Sequence, residues 1–160
     1  MFSTPDLKDK YQRKVFQGFE SMKSFGNRDS FFGQIKTVTC HDDNSKVKEI
    51  LGTNGKGKVL VINSNLITHA AMIGDEIAQK AIDNEWNGIF VAGYVRDVEL
   101  LKQMDLGILA LGSTTTKTNK NNKGFLGEDV IFGGVILCQD SWLYADKNGW
   151  LVSKEPLEIN

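Results

Sequence analysis

The middle of the chain contains three apolar runs, and these constrain the fold more than any other feature. They are "KVLVIN" (58–63), "GIFVAG" (88–93) and "LGILALG" (106–112). A continuous apolar run such as the first is typical of a strand buried on both faces of a sheet. The segments between the runs have a helical pattern. The resulting order, β-α-β-α-β, predicts parallel strands joined by helical crossovers.

The two crossover segments differ in length. In the first, apolar residues form one stripe, and the segment 84–87 ends the helix; the stripe consists of Ile73, Ile77, Ala78, Ala81 and Ile82. Gly93 is expected to turn the chain after the second strand. A short helix over 98–104 then leads to the third strand.

The flanking regions have other patterns. Apolar residues spaced by four predict one or two amphipathic helices over 4–22, and "FFGQIKTVTC" (31–40) predicts a strand. Asp43 or Asn44 can cap a short helix that ends at Leu51. A polar loop over 113–124 precedes short strands joined by Gly and Asp turns. We therefore expect a mixed sheet with antiparallel C-terminal hairpins.

Size and charge exclude several classes of protein. The 160 residues match one ordinary domain, so we expect a single domain over 1–160. The net charge of -1 gives no global attraction for nucleic acid or an anionic membrane, and neither is expected as a direct partner. The charged N-terminus is unlike a secretory signal, and no segment has the apolar length of a membrane span. We therefore expect a cytoplasmic protein. We also expect Cys40 and Cys138 to be buried small hydrophobic residues.

Three local features imitate functional sites. "GTNGKGK" (52–58) has the glycine and lysine spacing of a phosphate loop, but Val59 follows and no helix opens, so a plain turn is predicted. His41 and His69 have no recognisable nucleophile, which favours structural or solvated roles. Lys117, Lys120 and Lys123 could touch RNA phosphates or an acidic partner. The loop lacks aromatic platforms, however, so a solvated loop is favoured.

Two pairs of consecutive residues, the charged pairs, each contain an aspartate and have a more informative placement. Arg96-Asp97 lies just past the strand 88–92, and ligands of open parallel sheets bind beyond the carboxyl ends of strands. Gly74-Asp75 precedes the periodic part of a helix, where the N–H groups of Glu76 and Ile77 could hold a carboxylate. From these residues alone, a binding site and a set of helix caps with a surface ion pair both remain open.

The chain resembles the RraA-like family, which contains regulators of ribonuclease activity and class II 4-hydroxy-4-methyl-2-oxoglutarate aldolases. The resemblance covers nearly the whole chain and includes "NGKGKVLVIN", "NEWNGIFVAGYVRDVELL" and "FGGVILCQDSWLYADKNGWLV". The aldolases are marked by an Asp, twenty residues, then Arg-Asp. Asp75, Arg96 and Asp97 have that spacing, since twenty residues lie between Asp75 and Arg96.

The resemblance implies a fold and an assembly. The fold is α/β, an RraA-like β/β/α swivelling-type domain with a mixed sheet, a parallel β-α-β centre and antiparallel C-terminal hairpins. The assembly is a homotrimer with sites between subunits. Larger aldolases of the family close the site with a C-terminal extension, and from the resemblance we expect this chain to lack it.

The resemblance also implies roles for the charged pairs. Asp97 would be the protein ligand of a divalent cation, Mg²⁺ or Mn²⁺, and Arg96 would bind a 2-keto acid and neutralise the developing enolate. The backbone from Gly74 through Asp75 and Glu76 to Ile77 would hold the substrate carboxylate. Asp75 would position a water that moves the proton.

Two functions follow from different branches of the family. The first is retro-aldol cleavage of 4-hydroxy-4-methyl-2-oxoglutarate into two pyruvates, with oxaloacetate decarboxylation through the same pyruvate enolate. The second is a non-catalytic regulator that binds and inhibits an RNase E-type ribonuclease. The intact set of Asp75, Arg96 and Asp97 favours the lyase.

Overall fold

A computed structural model describes residues 1–159 of the chain. Within that range the helices are α1 (Thr4–Tyr11), α2 (Ser45–Leu51), α3 (Asp75–Asp83) and α4 (Val98–Leu101), with a 3₁₀ turn at Gln12–Lys14. The strands are β1 (Val15–Gln17), β2 (Lys23–Ser24), β3 (Phe31–Thr39), β4 (Lys58–Asn63), β5 (Ala71–Ile73), β6 (Gly88–Val95), β7 (Gly107–Ser113), β8 (Phe125–Leu126), β9 (Val130–Phe132), β10 (Val135–Leu137), β11 (Trp142–Asp146) and β12 (Gly149–Ser153).

Ten of the strands form one mixed sheet. Its order is β1-β12-β11-β3-β4-β6-β7-β2, with β5 beside β6 and β8 beside β3. The centre β3-β4-β6-β7 is parallel, and β11, β12 and β1 add antiparallel neighbours. The strands β9 and β10 form a separate antiparallel hairpin. The predicted α/β fold with a parallel centre and antiparallel C-terminal hairpins is confirmed.

The central strands are covered on both faces, as their apolar runs predict. One face packs against the helices, where Leu60 and Ile62 of β4 join Ala78 of α3 in a single core cluster. On the other face Phe90 packs edge-to-face on Trp150 with ring centroids 4.8 Å apart. Each such large side chain contributes about 1.5–3 kcal/mol by its burial. The loops at the strand ends are thus carried on a layer that is packed on both faces.

The N-terminal prediction is wrong beyond Tyr11. The helix α1 is capped by Ser3, whose side chain accepts the N–H of Asp6, but it ends at Tyr11. Val15 then begins β1, which pairs with β12 at the sheet edge. An apolar spacing of four fits both a helix and a strand. Pairing of β1 with β12 therefore determines that this segment is a strand.

Three boundaries in the centre also differ from the prediction. Ile73 belongs to the short strand β5, not to the helical stripe. Gly93 lies inside β6, which runs on to Val95. The glycine is needed there because the Oγ of Ser64 occupies the space of a side chain at position 93. The helix α4 ends at Leu101, not at 104, because the N–H groups of Gln103 and Met104 donate three residues back, as Gln103 N–H does to the carbonyl of Leu100.

The cysteine prediction holds for one residue of the two. Cys40 is buried, and burial together with the nearby charge of Asp43 raises the pKa of its thiol to about 12. Cys138 is only half-buried. Among residues 1–159, no helix has both the length and the apolar character needed to cross a bilayer.

Candidate active site

The two charged pairs meet where β5 and β6 end side by side. The strand β5 ends at Ile73, Gly74 is the extended residue before α3, and Asp75 is the first residue of that helix. The N–H of Arg96 donates to the carbonyl of Ile73 over 3.1 Å. This bond aligns the two strand ends, so the residues that follow them are neighbours.

Asp97 has an unusual backbone conformation. Its φ of 58° and ψ of 42° lie in the left-handed region, which Asp and Asn tolerate better than most residues. Its carbonyl accepts the N–H groups of Leu100 and Leu101, each over 3.0 Å, and so begins α4. The left-handed turn directs the carboxylate to the neighbouring strand end, where Oδ2 accepts the N–H of Asp75 over 3.3 Å.

The absence of a side chain at Gly74 makes this contact possible. A Cβ at that position would lie under 3.0 Å from Oδ2 of Asp97, closer than real Cβ atoms approach. The backbone of Gly74 has a φ of -135°, which other residues also adopt, so close approach alone requires the glycine. The Asp97 carboxylate therefore packs directly against the backbone of Gly74.

The guanidinium of Arg96 lies next to the same carboxylate. Its Nε is 3.8 Å from Oδ2 of Asp97, and its Nη1 donates to the carbonyl of Thr115 over 3.4 Å. The Arg96 side chain is 37% exposed and that of Asp97 is 35% exposed. Both charged groups can therefore reach a bound molecule without leaving the protein surface.

The start of α3 supplies further donors. The first hydrogen bond of this helix runs from the N–H of Ala78 to the carbonyl of Gly74, over 3.0 Å. The N–H groups of Glu76 and Ile77 precede it and have no acceptor within the helix. The side chain of Ile77 is packed in the core, so only its backbone can contribute to a site.

The residues present fit one kind of metal ion. Within residues 1–159 no group of three or more His, Cys, Asp or Glu side chains is placed to hold a cation. The side chain of Asp97 is partly exposed, and its Oδ1 accepts no hydrogen bond in the described part of the chain. One such carboxylate suits Mg²⁺ or Mn²⁺, which keep several waters, and does not suit a closed zinc cage.

The other candidate features make local contacts. Gly52 ends α2 and the turn continues into β4, where Nζ of Lys58 donates to the carbonyl of Asn54, so the predicted turn is confirmed. The ring of His41 contacts the side-chain amide of Asn65. His69 is exposed, and its Nε2 is 3.9 Å from a carboxylate oxygen of Asp42.

The solvated-loop prediction is confirmed in that Lys117, Lys120 and Lys123 are exposed, but Lys120 also makes a specific contact. Its Nζ donates to Oδ1 of the buried Asn44 over 2.9 Å, and Nδ2 of Asn44 donates to the carbonyl of Met72 over 2.9 Å. Met72 lies two residues before Gly74. The sequence pattern had indicated Asn44 only as a helix cap, and nothing in it links positions 76 residues apart.

Comparison with known proteins agrees with this architecture. The family described as "RraA-like: Aldolase/RraA" matches residues 4–152. A protein of Vibrio cholerae named "Putative 4-hydroxy-4-methyl-2-oxoglutarate aldolase" is 44% identical over 98% of this chain and 97% of its own length.

Two solved structures have nearly the same fold. The RNA-processing inhibitor RraA from Thermus thermophilis has a TM-score of 0.95 at 34% identity, covering 99% of this chain and 96% of that chain. A structure named S-adenosylmethionine: 2-dimethylmenaquinone methyltransferase, from Geobacillus kaustophilus, has the same TM-score at 32% identity, covering 97% and 96% of the two chains. These relatives thus carry three different functional names on one fold.

Proposed function

The chain belongs to the RraA-like family, and we propose that it is a divalent-metal-dependent lyase cleaving 4-hydroxy-4-methyl-2-oxoglutarate into two pyruvates. One observation carries the proposal, namely the position of the Asp97 carboxylate. It packs against Gly74, accepts the N–H of Asp75 and lies beside the Arg96 guanidinium. The aldolase name of the 44% identical relative supports the same activity.

Asp97 would hold the metal ion, since its Oδ1 is not engaged in the described part of the chain. A bound Mg²⁺ or Mn²⁺ would polarise the 2-keto group of the substrate as a Lewis acid. The fixed backbone of Asp97 and its contact with Asp75 orient the carboxylate before any ligand arrives. Such preorganisation saves the entropy of ordering the group during catalysis.

Arg96 and the start of α3 would bind the keto-acid end of the substrate. The N–H groups of Glu76 and Ile77 can donate to the carboxylate, and the positive end of the helix dipole favours this charge. The Arg96 guanidinium would then face the keto oxygen. Negative charge that develops on this oxygen is stabilised by a cation already in place.

Asp75 would position a water molecule that carries the proton. A base removes the proton of the C4 hydroxyl, the C3–C4 bond breaks, and its electron pair moves to the C2 oxygen, giving pyruvate and a pyruvate enolate. Return of the proton to C3 gives the second pyruvate. Oxaloacetate would lose CO₂ to the same enolate, so we propose decarboxylation as a secondary activity.

The test is pyruvate release from each substrate, with Mg²⁺ or with EDTA. We expect metal-dependent turnover in the parent protein and its loss in Asp97→Ala. Asp105→Ala is the matched control, since Asp105 is exposed and pairs with Arg28 instead. Absence of turnover in a folded parent protein would reject the lyase.

A ribonuclease regulator is the second candidate, favoured by the 34% identical structure named as an RNA-processing inhibitor. It would bind an RNase E-type protein and would need neither Arg96 nor Asp97. Inhibition of such a ribonuclease by the parent and by Asp97→Ala alike would support this role, with or without lyase activity.

We also propose a single-domain, cytoplasmic homotrimer over residues 1–160. Large apolar side chains are exposed and could supply contact area between copies; among them are Phe16, Phe19, Ile131 and Ile136. Light scattering should give three times the 17.8 kDa chain mass. A monomer at micromolar concentration would contradict the trimer.

A further inference from the structure

The strand β6 contains an irregularity shortly before its carboxyl end. Val91 pairs with Ala110 of β7. Tyr94 pairs with Gly112, so β6 advances three residues where β7 advances two. This is a β-bulge, and bulges are rare between parallel strands but common next to active sites, where they redirect the side chains that follow. The position of the bulge therefore affects how the end of β6 presents Arg96.

At the same point β6 changes its neighbour on the other side. Pairing with β4 ends where Asn63 lies opposite Ala92, and pairing with β5 begins at Tyr94. Ala92 is buried. A buried carbonyl at an interruption of the ladder needs a donor from elsewhere in the protein.

Ser64 supplies that donor. It is the first residue after β4 and is 0% exposed, and its hydroxyl donates to the carbonyl of Ala92 over 2.8 Å. A Cβ on Gly93 would lie under 3.0 Å from Oγ of Ser64. The hydroxyl therefore contacts both residues of β6 that form the bulge.

The turn after Ser64 has a strained backbone. Asn65 and Leu66 have φ angles of 54° and 60°, in the left-handed region that asparagine tolerates and leucine rarely adopts. Leu66 is also exposed, so core packing does not hold it in this conformation. Such strain persists where neighbouring contacts hold the chain in place. The bond from Ser64 to Ala92 is one such contact, and it fastens the start of the turn to β6.

We propose that Ser64 is a positioning residue of the candidate active site, whose hydroxyl fixes the bulge of β6 and thereby the positions of Arg96 and Asp97. It acts through the backbone of β6 and would not touch the substrate. The N–H of Arg96 donates to the carbonyl of Ile73, so a shift of β6 against β5 would disturb the alignment of the two strand ends. This inference rests on the proposed function and adds a buried residue to it.

Ser64→Ala removes the hydroxyl without adding bulk. We expect kcat for pyruvate release to fall by about tenfold or more, since small displacements of catalytic groups are costly. Ser64→Thr keeps a hydroxyl and should recover much of this loss. Ser153→Ala is the matched control, because Ser153 is 1% exposed and its hydroxyl donates to the carbonyl of Glu155 over 2.7 Å. Both alanine variants should melt at a lower temperature, but only Ser64→Ala should lose turnover.

Amide hydrogen exchange, followed by NMR, gives a readout that needs no turnover. The N–H of Arg96 should exchange about tenfold faster or more in Ser64→Ala, because its bond to the carbonyl of Ile73 opens more often. The N–H of Ile35 is the internal reference. It donates to the carbonyl of Ser141 over 2.7 Å, and its exchange should not change.

A change at Gly93 separates the hydrogen bond from the space that it occupies. Gly93→Ala should displace the Ser64 hydroxyl and lower both the melting temperature and kcat. Adding Ser64→Gly should make room and restore the melting temperature, but kcat should stay low because the hydroxyl is still missing. Recovery of both quantities would show that the hydrogen bond is not needed, and would overturn the proposal.

The outcomes distinguish the positioning role from the lyase itself. Unchanged exchange at Arg96 in Ser64→Ala overturns the positioning role and leaves the lyase standing wherever the parent releases pyruvate. Equal loss of turnover in Ser153→Ala also overturns it, because general destabilisation would then explain the effect. Faster exchange at Arg96 in a protein that releases no pyruvate would retain the control of the strand end by Ser64 and reject the lyase.

Discussion

The carboxylate of Asp97 occupies the space that any side chain at position 74 would need. A Cβ on Gly74 would lie under 3.0 Å from Oδ2 of Asp97. The same oxygen accepts the Asp75 N–H over 3.3 Å. The glycine, the start of the helix and the carboxylate therefore form one unit, in which a change at Gly74 is transmitted directly to Asp97.

Gly74→Ala should displace the Asp97 carboxylate and lower pyruvate release by about 100-fold, since a shift of about 1 Å in a catalytic group costs that much. The fold should survive, because the backbone conformation of Gly74 suits alanine. Steady-state kinetics and thermal melting measure the two effects. Gly52→Ala is the control, since its Cβ would meet chiefly the flexible end of Lys80. Full activity in Gly74→Ala would contradict the proposed role of Asp97.

Arg96→Lys should lower kcat/KM by about 10–100-fold although the charge is kept, because a lysine cannot contact Thr115 and Asp97 with separate guanidinium nitrogens. Arg28→Lys changes the same residue type at an exposed ion pair with Asp105 and should leave kcat/KM unchanged. Equal kinetics for both variants and the parent would show that the planar guanidinium at Arg96 is not needed.

The sequence predicts the parallel centre because β4, β6 and β7 are buried on both faces and are therefore continuously apolar. It also predicts the placement of Arg96 and Asp97, since ligand sites follow strand ends. The short strand β5 has only three residues, and its pairing with β6 is a tertiary contact that no local pattern reveals. The bond between Lys120 and Asn44 was missed for the same reason. Lys120 is exposed, as its charge indicates, but a partner 76 residues away in the chain leaves no local pattern.

Gly107→Ala should destabilise the protein, because the Phe31 ring lies over Gly107 of β7 and over Gly88 of β6. A Cβ at either glycine would come within 3.0 Å of that ring. Overpacking of this kind costs about 1–3 kcal/mol in the free energy of unfolding, measurable by urea denaturation. Adding Phe31→Leu to Gly107→Ala should cost less than the sum of the two single changes, since the smaller side chain makes room. Strict additivity would show that the ring and the glycine do not interact.

The loop that carries Lys120 is tied to α2 by Asp43, and this tie should depend on pH. Asp43 is buried and accepts the N–H groups of Ser45 and Asn121. Burial alone would raise the pKa of this carboxyl, but the hydroxyl of Ser45 and the backbone N–H groups outweigh it and hold the pKa below the ordinary 3.8.

Because the folded pKa is the lower one, Asp43 stabilises the fold fully above pH 3.8 and loses that contribution as the pH falls through the folded pKa. Asp43→Asn should therefore lower the free energy of unfolding by about 1–3 kcal/mol at pH 7, and the deficit should shrink below pH 4. Urea denaturation from pH 7 to 2.5 measures this difference, with Asp9→Asn on the exposed surface of α1 as the control. A deficit that stays constant down to pH 2.5 would show that the charge of Asp43 is not what holds the loop.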